Sequence, residues 1–197
     1  MGIRRSLLGL AALASLSACI GGGSKPPAYL FALDAAQPRP ADAGQRLPQG
    51  QIIAVGLPIQ PRLIATSRIA VMNAPQGVAY LPDAAWVDLP APLFQQLLAE
   101  TITARGARVA LPVRQLAGMD GPRLGGELTM FGLDHATNEA VVTFDATLSD
   151  SAGGDIRTRR FQHRVATSLR DPRKAANAIE QAANGVAADI ADWVAQN

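Results

Sequence analysis

The sequence predicts an α/β domain of the α+β kind: a mixed, mostly antiparallel sheet covered by two amphipathic helices. Three observations carry this. Val142, Phe144, Ala146 and Leu148 alternate with Thr143, Asp145 and Thr147, the period-two pattern of a half-buried strand. Leu93, Phe94, Leu97, Leu98 and Ile102 recur at helical spacing, and so do Ala175, Ile179, Ala182, Val186, Ile190 and Trp193. The order is strands, helix, strands, helix, which a sheet with helices packed on it accommodates.

The elements follow in chain order. Residues 28–33 (AYLFAL) read as a first strand, and residues 38–48 as a loop. Residues 51–59 (QIIAVGLPI) place Ile53, Val55, Leu57 and Ile59 on one face of a second strand, with Pro58 marking an edge or a bulge. Residues 68–72 and 77–81 flank Asn73-Ala74-Pro75-Gln76-Gly77, a hairpin turn between strand-like runs. The first helix starts at Asp88 or in the Pro90 region, because proline is tolerated in a first turn, and Gly106 ends it. Residues 108–111 form a short strand, and residues 124–133, 141–149 and 156–167 form three long ones, the last two joined by a turn over residues 150–155. Asp171 caps the final helix, Pro172 opens it, and Gly185 weakens it by roughly 1 kcal/mol relative to alanine.

Ahead of this domain stands a different kind of segment. Arg4 and Arg5 precede a short run of Leu, Ala and Gly, the charge and apolar order of a secretory signal. The run is shorter than the roughly 20 residues a spanning helix needs. It ends in Leu16-Ser17-Ala18-Cys19, which resembles the lipobox of bacterial lipoproteins and contains the one cysteine of the chain. The resemblance implies a cut between Ala18 and Cys19 and acylation of the Cys19 thiol; more than one acyl chain is needed for stable anchoring. The expected organisation is a signal peptide over 1–18, a lipidated tether over 19–28 and the domain over 29–197. Gly21-Gly22-Gly23-Ser24 makes the tether flexible, and Pro26-Pro27 stiffen its end. Ile20 follows the cysteine where enterobacterial lipoproteins held at the inner membrane tend to have Asp, which points to the outer membrane, facing the periplasm.

Charge and chemistry narrow the function. The formal net charge of +2 reflects 18 basic and 16 acidic residues, and loss of Arg4 and Arg5 brings the two counts level, so no footprint for nucleic acid exists. A single cysteine forms no disulfide within the chain, and with His135 and His163 as the two histidines a four-ligand zinc site is not expected. There is no G-x-S-x-G, H-E-x-x-H, phosphate loop or G-x-G-x-x-G. His163 shares a strand face with Phe161 and Val165; it reads as a hydrogen-bonded residue at the core edge rather than a general base. His135 falls in a turn. Asp83 and Asp88 bracket Trp86 and read as turn and cap groups around a packed tryptophan rather than as an acid/base pair. Arg157, Arg159, Arg160 and Arg164 could meet lipid phosphates or an acidic partner, but a solvated strand face is the simpler account. No catalytic residue, cofactor or metal is expected.

Residues 63–106 carry a further resemblance. Thr66-Ser67-Arg68 leading a strand, a hairpin ending in Tyr80, Trp86, a proline-spaced link and the helix over 93–105 resemble the ABC-type transport auxiliary lipoprotein family, of which the PqiC-like proteins are members. The lipobox and the YLFAL start agree with it. The resemblance implies a sandwich like the TolB N-terminal domain. It also implies a non-enzymatic outer-membrane lipoprotein that serves an MCE (mammalian-cell-entry) protein with its permease and ATPase in intermembrane lipid transport and envelope integrity. Contact with phospholipid and self-association are compatible with that role. The competing expectations are a lipoprotein supporting outer-membrane protein or lipopolysaccharide insertion, and a lipid-anchored hydrolase.

Overall fold

The computed structural model describes residues 26–37, 48–75, 77–106, 108–116, 120–150 and 154–197. The order is β1 (Tyr29–Phe31), β2 (Ile52–Val55), β3 (Arg68–Ala74), β4 (Gly77–Trp86), α1 (Pro90–Ala104), β5 (Val109–Pro112), β6 (Arg123–Asp134), β7 (Glu139–Ser149), β8 (Ile156–Ala166) and α2 (Pro172–Ala195). Short 3-10 turns occupy Gln49–Gln51 and Val113–Leu116. Cys19 and the segment expected to be a signal lie outside the described residues.

The eight strands form one mixed sheet, and its longest ladders are antiparallel. β6 pairs β7 along its whole length, and β7 pairs β8 in the same way, with Phe144 opposite Phe161. The second edge of β6 is shared. Its C-terminal residues, Gly132 to Asp134, run parallel to β3, while Arg123 and Leu124 run parallel to β2. The sheet therefore forks: β3, β4 and β1 extend one branch, and β2 and β5 the other.

Both helices lie on one face. α1 packs on β2 and β5, α2 on β7 and β8, and the helices touch each other. The predicted stripes are the buried ones: Phe94, Leu97, Leu98 and Ile102 from α1, and Ala175, Ile179, Ala182, Val186, Ile190 and Trp193 from α2. The buried face of α2 also carries Ala176, Ala178, Ala183, Ala187 and Ala191, small side chains that let the helix settle close to the strands. Tilted aromatic pairs bind the helices to the sheet, Phe94 with Phe144 at 5.3 Å and Phe161 with Trp193 at 5.6 Å between centroids, and a third, Trp86 with Phe131 at 5.3 Å, joins two strands of the sheet. Such pairs add about 0.5–1.5 kcal/mol beyond area burial. As expected, Asp171 caps α2, its carboxylate accepting from the backbone N–H of Arg173 and Lys174 at 3.0 and 3.2 Å.

Three expectations need correction. The strand over 51–59 ends at Val55. Gly56 N–H donates to the Leu124 carbonyl and Ile59 N–H to the Gly126 carbonyl, so three residues on one side span two on the other. That bulge, at the Leu57-Pro58 step, throws the pleat out of phase, and Leu57 and Ile59 are exposed where Ile53 and Val55 are buried. Second, β4 continues to Trp86, so Asp83 is not in a turn between elements. It sits at φ 55° in a bulge where β4 advances from Tyr80 to Ala85 while β3 retreats only from Ala70 to Arg68. Third, Asp88 lies one residue too early to cap α1. Leu89 holds the N-cap position, Asp88 Oδ1 accepts from Leu89 N–H at 2.6 Å, and the helix N–H of Ala91 donates to Gln60 Oε1 at 3.0 Å.

Gly126 is required by the close approach of β6 and β7. It has φ 148°, and a Cβ there would lie 2.1 Å from the Asp145 carbonyl oxygen. Gly126→Ala is expected to cost about 3 kcal/mol or more through backbone strain and overpacking, read as a lowered urea midpoint at unchanged m.

Candidate interaction surface

With both helices on one side, the opposite face of β6, β7 and β8 presents polar side chains. Across β7 and β8 the pairs on this face are Glu139 with Ala166, Val141 with Arg164, Thr143 with Gln162, Asp145 with Arg160, and Thr147 with Thr158. Arg160 grips Asp145 with two hydrogen bonds of 2.6 Å, the fork geometry of guanidinium on carboxylate. This contact holds the Asp145 carboxyl below its ordinary range and raises Arg160 above its own. Gln162 Nε2 donates to Thr143 Oγ1 at 2.8 Å. Arg164 donates to Glu139 at 2.9 Å and stands 3.8 Å from Asp134. Arg157 lies 3.6 Å from Asp155, and Arg159 sits 5.0 Å over the Phe161 ring. The expected single arginine face is therefore corrected: strand alternation puts Arg160 and Arg164 on the open face, where Asp145 and Glu139 answer them, and Arg157 and Arg159 on the helix side with Phe161 and His163, exposed beyond the part that α2 covers.

At one end of the sheet two hairpins are tied together. Asn73, at φ 54° near the tip of β3, donates from Nδ2 to Asp134 Oδ1 at 3.1 Å, and Ala136 N–H donates to the same oxygen at 3.0 Å. His135 N–H donates to the Met72 carbonyl, in the turn where the sequence placed His135. Asp134 is buried. The Asn73 hydrogen bond, helped by backbone N–H groups and Arg164, holds its carboxyl below the usual range against the opposing effect of burial. Sequence reasoning missed this residue; a polar side chain closing a strand next to a turn was the available signal.

His163 clamps β8 to α2. Its Nε2 stands 2.9 Å from Asp189 Oδ2. The ring lies against Gly185, where a Cβ would fall 2.5 Å from Nδ1. The glycine that weakens α2 locally is therefore the one that admits the imidazole. Asp88, by contrast, is bound to the Leu89 backbone, and Trp86 is packed as expected. Among the described residues no group of three or more His, Cys, Asp or Glu is placed to hold a metal ion.

Two further surfaces are open. A groove of about 720 Å³ separates α1 from β5, lined by Pro92, Gln95, Gln96, Glu100, Leu111 and Pro112. At the β1 edge, Leu30 (63% exposed), Val87 (55%) and Leu89 (40%) leave apolar side chains in solvent. No helix among the described residues is long and apolar enough to cross a membrane.

Two outcomes follow from the clamp and the tie. Gly185→Ala is expected to destabilise the domain by about 1 kcal/mol net, because overpacking exceeds the gain in helix propensity. In a His163→Ala background the same change is expected to stabilise, and a double-mutant cycle by urea unfolding reads the reversal. For Asp134, a folded pKa below the unfolded one means a stabilisation that is complete above the ordinary carboxylate range and lost as pH falls through the lowered value. Asp134→Asn is expected to cost about 1–3 kcal/mol at neutral pH, and urea unfolding across the acid range should show the gap from the unsubstituted chain closing.

The family model for the ABC-type transport auxiliary lipoprotein component matches residues 31–191. No curated protein matches the chain in sequence. Among solved structures, the chain is similar to protein XCC0632 from Xanthomonas campestris, of the DUF330 family. The TM-score is 0.69 and the identity 20%, over 85% of this chain and 95% of that one. It is also similar to an uncharacterised protein at TM-score 0.67 and 13% identity, over 84% and 97%. These likenesses agree with the mixed, mostly antiparallel sheet and its two helices, and the family match spans the described domain almost from β1 to the last turns of α2: the chain belongs to the ABC-type transport auxiliary lipoprotein component family.

Proposed function

We propose that this chain is an outer-membrane lipoprotein, held by lipid on Cys19 and facing the periplasm, that serves an MCE-type ABC transport system as a non-catalytic auxiliary component in intermembrane lipid transport and envelope integrity. The family match over residues 31–191 carries the reading, since that family is an auxiliary lipoprotein component of ABC-type transport. The Leu16-Ser17-Ala18-Cys19 motif, cut between Ala18 and Cys19, supplies the anchor, and Ile20 favours the outer membrane. Two of the three candidate acid and base groups are engaged in the fold, which supports a role without catalysis: His163 clamps a helix and Asp88 binds backbone, while Asp83 sits apart in the β4 bulge. The chain docks the MCE protein and leaves nucleotide hydrolysis to the ATPase.

The test is a mild-detergent pull-down of the tagged, lipidated chain with mass spectrometry. Recovery of an MCE protein with its permease and ATPase is the expected result; recovery of β-barrel or lipopolysaccharide insertion machinery in their place would sink the transport role. Cys19→Ala is expected to abolish incorporation of labelled palmitate, leave the precursor uncut and lose the partners from the membrane fraction.

A further inference from the structure

We propose that the rim formed by Tyr29, Leu30, Val87 and Leu89 rests on the surface of the bilayer that holds the lipid anchor, fixing how the domain stands on the membrane. The inference rests on the reading of Cys19 as the acylated residue.

The four residues lie along one edge of the sheet, with Tyr29 and Leu30, as successive strand residues, on its two sides. β1 is the outermost strand of its branch and pairs β4 in parallel, with Leu30 beside Ala85 and Phe31 beside Trp86. Val87 follows β4 directly, and its N–H donates to the Phe31 carbonyl at 2.8 Å. Leu89, two residues on, is the N-cap of α1. The two neighbours toward the core, Ala85 and Trp86, are buried, whereas Leu30, Val87 and Leu89 are exposed at one sheet edge. Tyr29 is stacked on Phe31 at 6.1 Å, lies under the Arg173 guanidinium at 5.0 Å, and keeps 37% of its surface in solvent. Arg173 and Lys174 are themselves exposed at the start of α2.

The position of the anchor identifies the occupant. Nine residues separate Cys19 from Tyr29. Even fully extended, they hold β1 within about 35 Å of the lipid head groups. The first strand after the tether is thus the part of the domain most often at the membrane, and its high local concentration there favours even a weak contact. Leucine and valine side chains beside a tyrosine, flanked by arginine and lysine, match the interfacial layer: apolar groups enter the acyl boundary, the phenol sits among head groups, and the cations meet phosphates. A contact of this size adds orientation to an anchor that already holds the chain.

The experiment uses the full lipidated chain in vesicles of phosphatidylethanolamine and phosphatidylglycerol. Leu30→Cys, Val87→Cys and, on the open sheet face, Thr158→Cys each receive a polarity-sensitive thiol dye, with thermal melts confirming the fold. The expected result is a blue-shifted emission at 30 and 87, quenched by brominated acyl chains, and neither change at 158. Equal behaviour at all three sites overturns the proposal. So does a dye at 30 or 87 that stays in water in vesicles and becomes shielded only when the transport partners are added, which would assign the rim to a protein. Dye uptake by the unsubstituted chain, with no palmitate on it, would show Cys19 to be free; the anchor reading then falls, and this inference with it.

Discussion

The edge of β6 that faces away from β7 is the constraint on which the architecture depends. Every backbone N–H and C=O along a buried strand needs a partner. β6 is twelve residues long, and no other strand pairs that edge along its whole length. The edge is covered in relay. Ala54 and Gly56 donate to Pro122 and Leu124, Ile59 bonds Gly126 and Leu128, and β3 takes over from Gly132 to Asp134. The bulge at Leu57-Pro58 is the device that keeps this relay in register, and exposed Leu57 and Ile59 are its consequence. The fork of the sheet into two branches has the same origin, since two strands placed end to end along one edge must continue to different neighbours.

The fork also decides where the helices go. Both occupy one face, and the Arg105–Asp192 ion pair joins them across their seam. α2 reaches its depth because alanines line it and because Gly185 makes room for His163. A bulkier stripe would hold the helix away from Phe144 and Phe161, and interior packing loses contact energy steeply with such gaps. The uncovered face keeps water, so its charges are arranged as cross-strand pairs rather than as a core. Arg160 on Asp145 and Arg164 on Glu139 answer each other there, which leaves a polar, weakly charged surface.

His163, Asp145 and Asp171 are held in a clamp, an ion pair and a helix cap, and the family to which the chain belongs is an auxiliary component of ABC-type transport. The features left over by the fold lie at its margins: the rim beside the tether and the groove between α1 and β5. One is apolar and close to the proposed anchor, the other lined by proline and glutamine on the far branch of the sheet.

The sequence by itself determined the local order: both amphipathic helices, the Asp171 cap, the three long strands and the turn at His135. Each is a short-range property, written in side-chain period or in a few adjacent residues. It also placed His163 correctly at the edge of the core, because Phe161 and Val165 flank it on the same face. What only the tertiary structure decided are the relations between distant segments. The Leu57 and Ile59 pattern reads as a strand until the bulge against β6 breaks it. The cap of α1 comes from Gln60, thirty-one residues before Ala91, and the Asn73–Asp134 tie spans sixty-one. Gly185 looks like a weak point in a helix until His163 is found resting on it. Hydrogen-bond demand and steric room are settled between elements once they meet, and no periodicity within a single element carries that information.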